Sequence, residues 1–156
     1  MDCPPLMIYR FGNLLHRVGM KRVALLISWV NRVLFAVWLP CSCQIGKGVK
    51  LGYWGLGIVI HSQVRIGDHS VIGQNVTIGR KEGEESVPII ESDVYIGAGA
   101  SVLGGVVIGR DAIIGANSVV LHTVPARSIA VGAPARILRY RSDDEIQSWK
   151  RRRFST

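Results

Sequence analysis

The feature that most constrains the fold is a repeat of six residues. Stepping by six from residue 60 to residue 120 meets an aliphatic side chain at every position except residue 84, which is glutamate. Such a period fits neither the 3.6-residue turn of an α-helix nor the two-residue alternation of an ordinary strand. It predicts a solenoid in which each unit is one short strand and one corner. The aliphatic positions are Ile60, Ile66, Ile72, Ile78, Ile90, Ile96, Val102, Ile108, Ile114 and Val120.

Three six-residue units close one triangular coil, so residues eighteen apart are expected to stack. In this interpretation Ile60 lies below Ile78, and Ile78 lies below Ile96, each inside the shaft. Strands of adjacent coils then pair in parallel, and the glycine that often follows the aliphatic residue relieves a crowded corner. The sequence therefore predicts an all-β core, a parallel β-helix of about four to five coils. Six isoleucines are expected to be buried: Ile66, Ile72, Ile78, Ile96, Ile108 and Ile114.

The six-residue register breaks at two segments. Residues 52–59, GYWGLGIV, contain three residues more than the period allows. Residues 80–87, RKEGEESV, carry five charges and no core aliphatic before the last position. Glu84 falls in phase with the repeat, but a carboxylate does not lie unpaired in a dry shaft. Residues 80–87 are therefore predicted to leave the coil as a loop, and long loops on rigid scaffolds often carry binding sites.

The N-terminal segment predicts helices and contains an apolar stretch. Residues 6–16 have the spacing of a short amphipathic helix, and residues 23–39 form a more apolar helix that Pro40 ends. Because Asn31 and Arg32 interrupt this stretch at its centre, no membrane span is expected. It also lacks a signal-peptide cleavage site. Two interpretations remain open for residues 23–39: packing on the β-helix or a sister subunit, or peripheral contact with a membrane surface.

The C-terminal segment follows the repeat, which ends at Val124 and Pro125. Ser142 and Glu145 have the spacing of a capping box, so a helix is predicted to begin there and to cover the last open coil. The chain thus divides into a helical segment, a β-helix, and a C-terminal turn with a capping helix. The bounds of these three segments are residues 1–40, 41–125 and 126–156.

Charge and cysteine content exclude some classes of function. The net charge of +8 divides into +4 for residues 1–40, −1 for residues 41–125 and +5 for residues 126–156. Basic ends on a nearly neutral body fit a phosphate-bearing ligand or an anionic membrane. No nucleic-acid-binding motif accompanies them, so nucleic acid is not expected as a partner. Neither a disulfide framework nor a metal site is predicted from the spacing of cysteines and histidines, and reduced thiols indicate a cytoplasmic location.

Three segments carry a resemblance to a known family. Residues 96–100, IGAGA, residues 114–120, IGANSVV, and residues 131–136, VGAPAR, are similar to the hexapeptide-repeat acyltransferases. The resemblance is strongest to the branch of the serine acetyltransferases and their relatives that acetylate polysaccharide units. It implies a left-handed coil, which is unusual for parallel crossovers. It also implies acetyl-CoA as the acyl donor and a homotrimer with active sites between subunits.

The resemblance implies where acetyl-CoA lies. In the family the pantetheine arm runs between neighbouring subunits along small residues, which here are Ala98 and Ala116. His122 occupies the position after the last repeat and falls on the same path. Arg136 and Arg139 follow the Gly-x-Pro turn and are expected to approach the phosphates, since a guanidinium group binds phosphate with paired hydrogen bonds.

The transfer needs a base for the acceptor hydroxyl, and a neutral imidazole suits this task near pH 7. We choose His61 among the four histidines because it occupies a position where the repeat otherwise prefers glycine. Glu84 or Glu85, from the charged loop, is expected to orient its ring. The next candidates for the base are His69 and His122. No cysteine is placed within the regular coils, so a direct transfer without an acyl-enzyme is expected.

The chain departs from the serine acetyltransferases at three places. Their catalytic histidine corresponds to Tyr53 or Trp54, their aspartate falls near residues 39–41, which contain no acid, and their His-Pro pair becomes Val87 and Pro88. A hydroxyl of a sugar or polysaccharide precursor is therefore the predicted acceptor, with L-serine as the alternative. An alternative of another class is a non-catalytic oligomeric scaffold derived from an acyltransferase.

Overall fold

The computed structural model describes residues 2–154 and shows a solenoid with helices at both ends of the chain. Helices α1, α2 and α3 span Pro4–Arg17, Lys21–Phe35 and Asp143–Phe154. Most of the strands contain only two residues. In chain order they are β1 (Gln44–Ile45), β2 (Lys50–Leu51), β3 (Val59–Ile60), β4 (Arg65–Ile66), β5 (Val71–Ile72), β6 (Thr77–Gly79), β7 (Ile89–Ile90), β8 (Tyr95–Ile96), β9 (Ser101–Leu103), β10 (Val107–Ile108), β11 (Ile113–Ile114), β12 (Val119–Val120), β13 (Ser128–Gly132) and β14 (Ala135–Tyr140).

Three sheets of parallel strands form the sides of the triangular coil. Sheet A contains β3, β6, β9 and β12, and sheet B contains β1, β4, β7 and β10. Sheet C contains β2, β5, β8, β11 and β13, with β14 at its edge. Strands that follow each other in the chain thus lie in different sheets, and every third strand is a neighbour. The predicted parallel β-helix is confirmed.

The aliphatic repeat fills the shaft, as predicted. The six isoleucines expected in the core are each at most 4% exposed. In the two-residue strands the second residue is buried and the first faces outward, which is the alternation of a β-strand. Each strand therefore contributes one aliphatic side chain to the core, and the fold depends on how these side chains stack.

One predicted stacking pair is wrong. Ile78 in β6 pairs with Val102 in β9, twenty-four residues later, and not with Ile96. The reason is the predicted loop, here residues 80–88 between β6 and β7, which adds six residues to the chain without adding a strand. Ile96 in β8 pairs instead with Ile72 in β5 and with Ile114 in β11, which belong to sheet C. The loop is confirmed, and it shifts every later repeat by one whole unit.

Glycine after a core aliphatic residue lets the backbones of adjacent coils approach closely. A Cβ on Gly97 would lie 2.5 Å from the backbone nitrogen of Ala116 in the next coil. Gly79 differs, because the nearest atom to its Cβ would be 3.8 Å away, in the His61 side chain. An added Cβ would come similarly close to backbone atoms of the next coil at three other glycines, Gly67, Gly73 and Gly109.

Helix α2 ends at Phe35 and not at Pro40, so the predicted end of this helix is wrong. The residue after Phe35 adopts a left-handed conformation, with φ of 52°. Val37 and Leu39 are then fully buried in the first coil, while Trp38 between them is half-buried. This alternation requires an extended backbone, which explains why the helix stops before the proline.

Helix α1 closes the N-terminal end of the shaft. Leu6 and Tyr9 are buried together with the first core residues of the coil. The Tyr9 hydroxyl donates a 2.6 Å hydrogen bond to the Cys43 carbonyl, and the Asn31 amide of α2 donates a 3.0 Å bond to the Pro5 carbonyl. One face of each helix is thus fixed to the rest of the protein. No helix within residues 2–154 is long and apolar enough to cross a membrane.

The C-terminal segment contains a β-hairpin that the repeat pattern does not predict. β13 pairs with β11 in sheet C, and β14 turns back to pair with β13 in antiparallel orientation. The edge of sheet C is therefore covered by β14, while α3 contacts the coils through Lys150, which pairs with Asp93 at 3.2 Å and with Asp111 at 2.9 Å. The capping box of α3 is present, since the Ser142 amide donates to the Glu145 carboxylate at 3.2 Å and the Glu145 amide donates to the Ser142 hydroxyl at 3.3 Å.

Replacing Gly97 with alanine is expected to lower the free energy of unfolding by about 1–3 kcal/mol, because the new methyl group would push against the next coil. The matched control is Gly79→Ala, which adds the same group where there is space and should change the free energy by less than about 0.5 kcal/mol. Urea denaturation measures both values. Equal losses would contradict the close contact assigned to Gly97.

Candidate functional site at two corners of the coil

Two columns of corners flank sheet A and contain most of the predicted site residues. The alanine corner follows sheet C and comprises residues 52–58, 73–76, 97–100 and 115–118. The histidine corner follows sheet A and comprises residues 61–64, 80–88, 104–106 and 121–123. Because sheet A separates the columns, residues of the two corners lie at opposite ends of a strand within one chain.

The alanine corner is a ladder of backbone hydrogen bonds with small side chains on its outside. The Gly99 amide donates to the Gln74 carbonyl at 2.8 Å, and the Asn117 amide donates to the Ala98 carbonyl at 2.9 Å. Ala98 and Ala116 lie on successive coils, about 5 Å apart at the spacing of paired strands. Ala98 is half-buried and Ala116 is exposed. The structure thus brings these two predicted residues together as a strip that a thin ligand can follow.

The hairpin turn stands at the end of this strip, close to the first predicted phosphate ligand. The Gly132 amide donates a 3.1 Å hydrogen bond to the Ser118 hydroxyl, which holds the turn over the last coil. Arg136 follows the turn and is exposed, and its guanidinium donates at 3.1 Å to a carbonyl of its own strand. It has no ion-pair partner within the part of the chain that the structure describes. Its charge is therefore available to an anionic ligand.

Arg139, the second predicted phosphate ligand, is already paired. Its guanidinium lies 2.8 Å from the Glu145 carboxylate at the start of α3. The hydrogen bond to this carboxylate raises the Arg139 pKa. A phosphate would have to compete with Glu145, so the structure favours Arg136 over Arg139 as a phosphate ligand.

His61 follows β3 at the histidine corner and is half-buried. Its Nδ1 accepts a 3.3 Å hydrogen bond from the Gln63 amide, which places the proton of the neutral ring on Nε2. This bond is long, so the Nδ1 lone pair is only weakly engaged. Burial lowers the His61 pKa, the charge of Arg80 lowers it further, and Glu85 opposes both. The ring is therefore neutral at pH 7, as a general base requires.

The predicted carboxylate partners of His61 do not contact it. Arg80 lies 3.2 Å from the Glu85 carboxylate, and Glu84 is paired with Lys81 at 2.8 Å. Within residues 2–154, neither glutamate hydrogen-bonds to the His61 ring. The expectation that one of them orients the ring is therefore wrong for the single chain, because each carboxylate is held by a cation of its own loop.

The structure separates His122 from the alanine strip. His122 is exposed and follows β12 at the histidine corner, three coils from His61, which is about 14 Å at the spacing of paired strands. The expectation that it shares a path with Ala98 and Ala116 is wrong within one chain, because sheet A lies between them. His69 lies at the third corner, between sheets B and C.

Two aromatic residues at the alanine corner are functional candidates that the repeat does not reveal. Tyr53 and Trp54 adopt left-handed conformations, with φ of 47° and 55°, and are 79% and 58% exposed. Bulky residues seldom take this conformation, and such strain often marks a binding site. The Asn75 amide donates to the Leu56 carbonyl at 2.9 Å, which aligns this segment with the ladder that contains Ala98. The three residues by which segment 52–59 exceeds the six-residue period indicate an irregular segment, but they do not predict the left-handed conformation of Tyr53 and Trp54.

The cysteine thiols are poorly placed for nucleophilic catalysis. Cys41 and Cys43 are buried, and burial raises the Cys43 pKa to about 12. Burial also raises the pKa of Cys3 and of Cys41. The thiolate, which is the nucleophilic form, is therefore scarce at neutral pH. Among residues 2–154, no three His, Cys, Asp or Glu side chains lie together as a metal ion requires.

The charges around His61 predict how its pKa responds to substitution. Arg80→Gln is expected to raise the His61 pKa, because a neighbouring positive charge disfavours the imidazolium, and Glu85→Gln is expected to lower it. Arg80→Gln would therefore restrict the neutral base to higher pH. NMR titration of the ring measures both shifts, with Arg151→Gln in α3 as the control. A wild-type His61 pKa above the ordinary value of about 6.5 would contradict this account.

Two family models match the coils. The model described as "Bacterial transferase hexapeptide (six repeats)" matches residues 88–122, and the model described as "Hexapeptide repeat of succinyl-transferase" matches residues 63–87. Together they extend from β4 to β12 and include the alanine strip.

Comparisons over most of the chain find serine acetyltransferases. The chain is 35% identical to the serine acetyltransferase of Synechococcus elongatus over 139 residues, which cover 88% of this chain and 56% of that protein. It is 35% identical to the Helicobacter pylori enzyme over 136 residues, 85% of this chain and 78% of that protein. The Brucella abortus serine acetyltransferase in complex with coenzyme A matches with a TM-score of 0.84 and 29% identity, over 88% of this chain and 55% of that chain. This chain thus spans about half the length of the first and the last of these proteins.

Proposed function

We propose a function from one premise: the chain belongs to the hexapeptide-repeat acyltransferase family, which includes the serine acetyltransferases. It transfers the acetyl group of acetyl-CoA directly to a hydroxyl group of a small acceptor. One observation carries this proposal. The alanine corner provides two small residues, Ala98 and Ala116, in a column that runs from Arg136 at one end, past Gln74, to Tyr53 and Trp54 at the other.

The shape and charge of the strip fit acetyl-CoA. Small side chains at Ala98 and Ala116 leave the backbone open to a thin pantetheine arm, and Arg136 supplies a free guanidinium for a phosphate. The acetyl group would then point along the corner towards Tyr53 and Trp54. The Brucella abortus serine acetyltransferase binds coenzyme A, which supports the same choice of cofactor here.

The base would come from a neighbouring copy of the chain. His61 is on the same coil as Tyr53, but sheet A separates them within one chain. A cyclic homotrimer can place the alanine corner of one copy against the histidine corner of the next. His122 would then return to the cofactor path, because it is on the same coil as Ala116. The outward residues of sheet A are uncharged, as such an interface requires: Val59, Thr77, Ser101 and Val119.

The transfer would proceed in one step within a ternary complex. His61 Nδ1 takes the proton of the acceptor hydroxyl as the oxygen attacks the thioester carbonyl carbon. A backbone N–H stabilises the oxyanion. The carbon–sulfur bond then breaks, and the imidazolium returns the proton to the CoA thiolate. The buried thiols Cys41 and Cys43 give no support to an acyl-enzyme.

The relatives favour L-serine over a sugar hydroxyl as the acceptor. The three proteins compared above are serine acetyltransferases. Because Tyr53 and Trp54 stand where that branch places its catalytic histidine, His61 would supply the base for either acceptor. We therefore propose serine first and the hydroxyl of a sugar precursor second.

Release of free CoA thiol tests the proposed function. Incubation with acetyl-CoA and L-serine is expected to release thiol, and release with nucleotide sugars but not with serine would select the second acceptor. Tight binding of acetyl-CoA without thiol release on any acceptor would contradict both. That result would favour the remaining alternative, a non-catalytic oligomeric scaffold.

His61→Ala is expected to lower kcat by about 10²–10⁴-fold while leaving the affinity for acetyl-CoA nearly unchanged, because it removes a proton acceptor and no cofactor contact. Steady-state kinetics with the acceptor found in the screen measures the effect. The control is His16→Ala on α1. Wild-type turnover in His61→Ala would place the base elsewhere, and lost acetyl-CoA binding would make His61 a binding residue.

Arg136→Ala is expected to weaken acetyl-CoA binding by about 10–100-fold, the usual cost of losing a hydrogen bond to a charged group. Titration calorimetry measures the change, with Arg151→Ala as the control. Comparing CoA with dephospho-CoA shows which phosphate Arg136 binds. If it binds the 3′-phosphate, the wild type should bind dephospho-CoA more weakly than CoA, and Arg136→Ala should bind the two equally. Unchanged affinity in Arg136→Ala would rule out this placement of the phosphates.

A further inference from the structure

Helix α2 is buried on one side and apolar on the other. Ala24, Ser28 and Asn31 are buried. The Asn31 amide donates to the Pro5 carbonyl in the first turn of α1, and the Ser28 hydroxyl donates to the Cys41 thiol just before β1. The opposite side carries large apolar side chains that are each 46–79% exposed. A contiguous exposed apolar face of this kind normally marks a surface that contacts a partner or a membrane. The exposed residues are Leu25, Leu26, Trp29, Val30, Val33 and Leu34.

The exposed apolar surface is not limited to α2. On α1, Met7, Phe11 and Leu14 share one face of the helix and are 58–60% exposed. At the end of α2, the Phe35 ring contacts the exposed Trp54 ring, with centroids 6.2 Å apart. The helical hairpin therefore exposes far more apolar surface than scattered single residues would.

The charge around these helices is mainly positive, with Asp2, which pairs with Arg10 at 3.2 Å, as the one acidic residue before Asp68. Residues 3–67 contain eight Lys and Arg residues and no Asp or Glu. Lys21 and Arg22 begin α2, Arg32 lies in its last turn, and all three are exposed beside the apolar side chains. Cations and tryptophan at the border of an apolar helix face are typical of helices that lie in the interface of an anionic bilayer.

We propose that the α1–α2 hairpin docks this protein on the surface of an anionic membrane, with Trp29 and Val33 in the interface. Charge complementarity selects a bilayer over a second copy. Two copies that met through α2 would bring Lys21, Arg22 and Arg32 against their equivalents, with no acidic residue of the hairpin to pair with them. An anionic bilayer instead attracts each of these cations. This proposal does not depend on the enzymatic function.

Co-sedimentation of the full chain with lipid vesicles tests the proposal. We expect binding to phosphatidylcholine vesicles that contain about one third phosphatidylglycerol, weaker binding at high salt, and little binding to phosphatidylcholine alone. Because Trp29 is 54% exposed, its entry into the interface should shift tryptophan fluorescence to shorter wavelength.

Paired variants separate the apolar and the charged contributions. Trp29→Ser combined with Val33→Ser should lower vesicle binding by at least about tenfold. Val33 is exposed, whereas the Trp29 ring also packs against Trp38 with centroids 5.3 Å apart, so circular dichroism of the variant checks that the fold is retained. Lys21→Gln and Arg22→Gln should each lower binding to anionic vesicles by about fivefold. The matched controls are Leu138→Ser and Arg151→Gln, which change exposed residues near the C-terminus.

Three results would overturn the proposal. The first is no binding to anionic vesicles, or equal binding to neutral ones. The second is anionic binding that the Trp29, Val33, Lys21 and Arg22 variants leave unchanged. The third is a smaller assembly by light scattering for the Trp29 and Val33 variant, without an effect on vesicle binding, which would assign this face to a second copy.

Discussion

Close contact between the backbones of successive coils is the constraint on which the rest of the structure depends. At Gly97, one additional carbon atom would come within 2.5 Å of the next coil. The aliphatic column inside the shaft fills completely only at this same spacing. Once the spacing is fixed, the position of every corner residue follows from its coil and from the sheet that precedes it.

This regular arrangement explains why the proposed site needs more than one chain. Tyr53 and His61 are on the first coil, Ala116 and His122 are on the last, and sheet A separates the members of each pair. A rigid solenoid does not fold back to join its own corners. The proposed homotrimer would join them without any movement inside a chain. The base of one copy would then meet the cofactor strip of the next only when the copies assemble.

The repeat predicts the solenoid and its core because the shaft accepts one kind of side chain at one spacing. It does not predict that Ile78 pairs with Val102, since the loop of residues 80–88 adds six residues, which keeps the six-residue phase and hides the shift by one unit. His61 could be chosen because it replaces glycine in the repeat. The effect of the Arg80 charge on the His61 pKa could not be predicted, because Arg80 belongs to a different coil. The left-handed conformation of Tyr53 has no signal in the residue types.

Mixing two inactive variants tests most directly whether the site is shared between copies. His61→Ala lacks the proposed base, and Ala98→Trp blocks the proposed cofactor strip. If base and strip belong to different copies, co-expressing the two variants in equal amounts should restore about a quarter of the wild-type rate of thiol release, because some interfaces in mixed cyclic trimers are intact. Mixed trimers without any recovered activity would contradict the shared site and would place the base and the cofactor in a single chain.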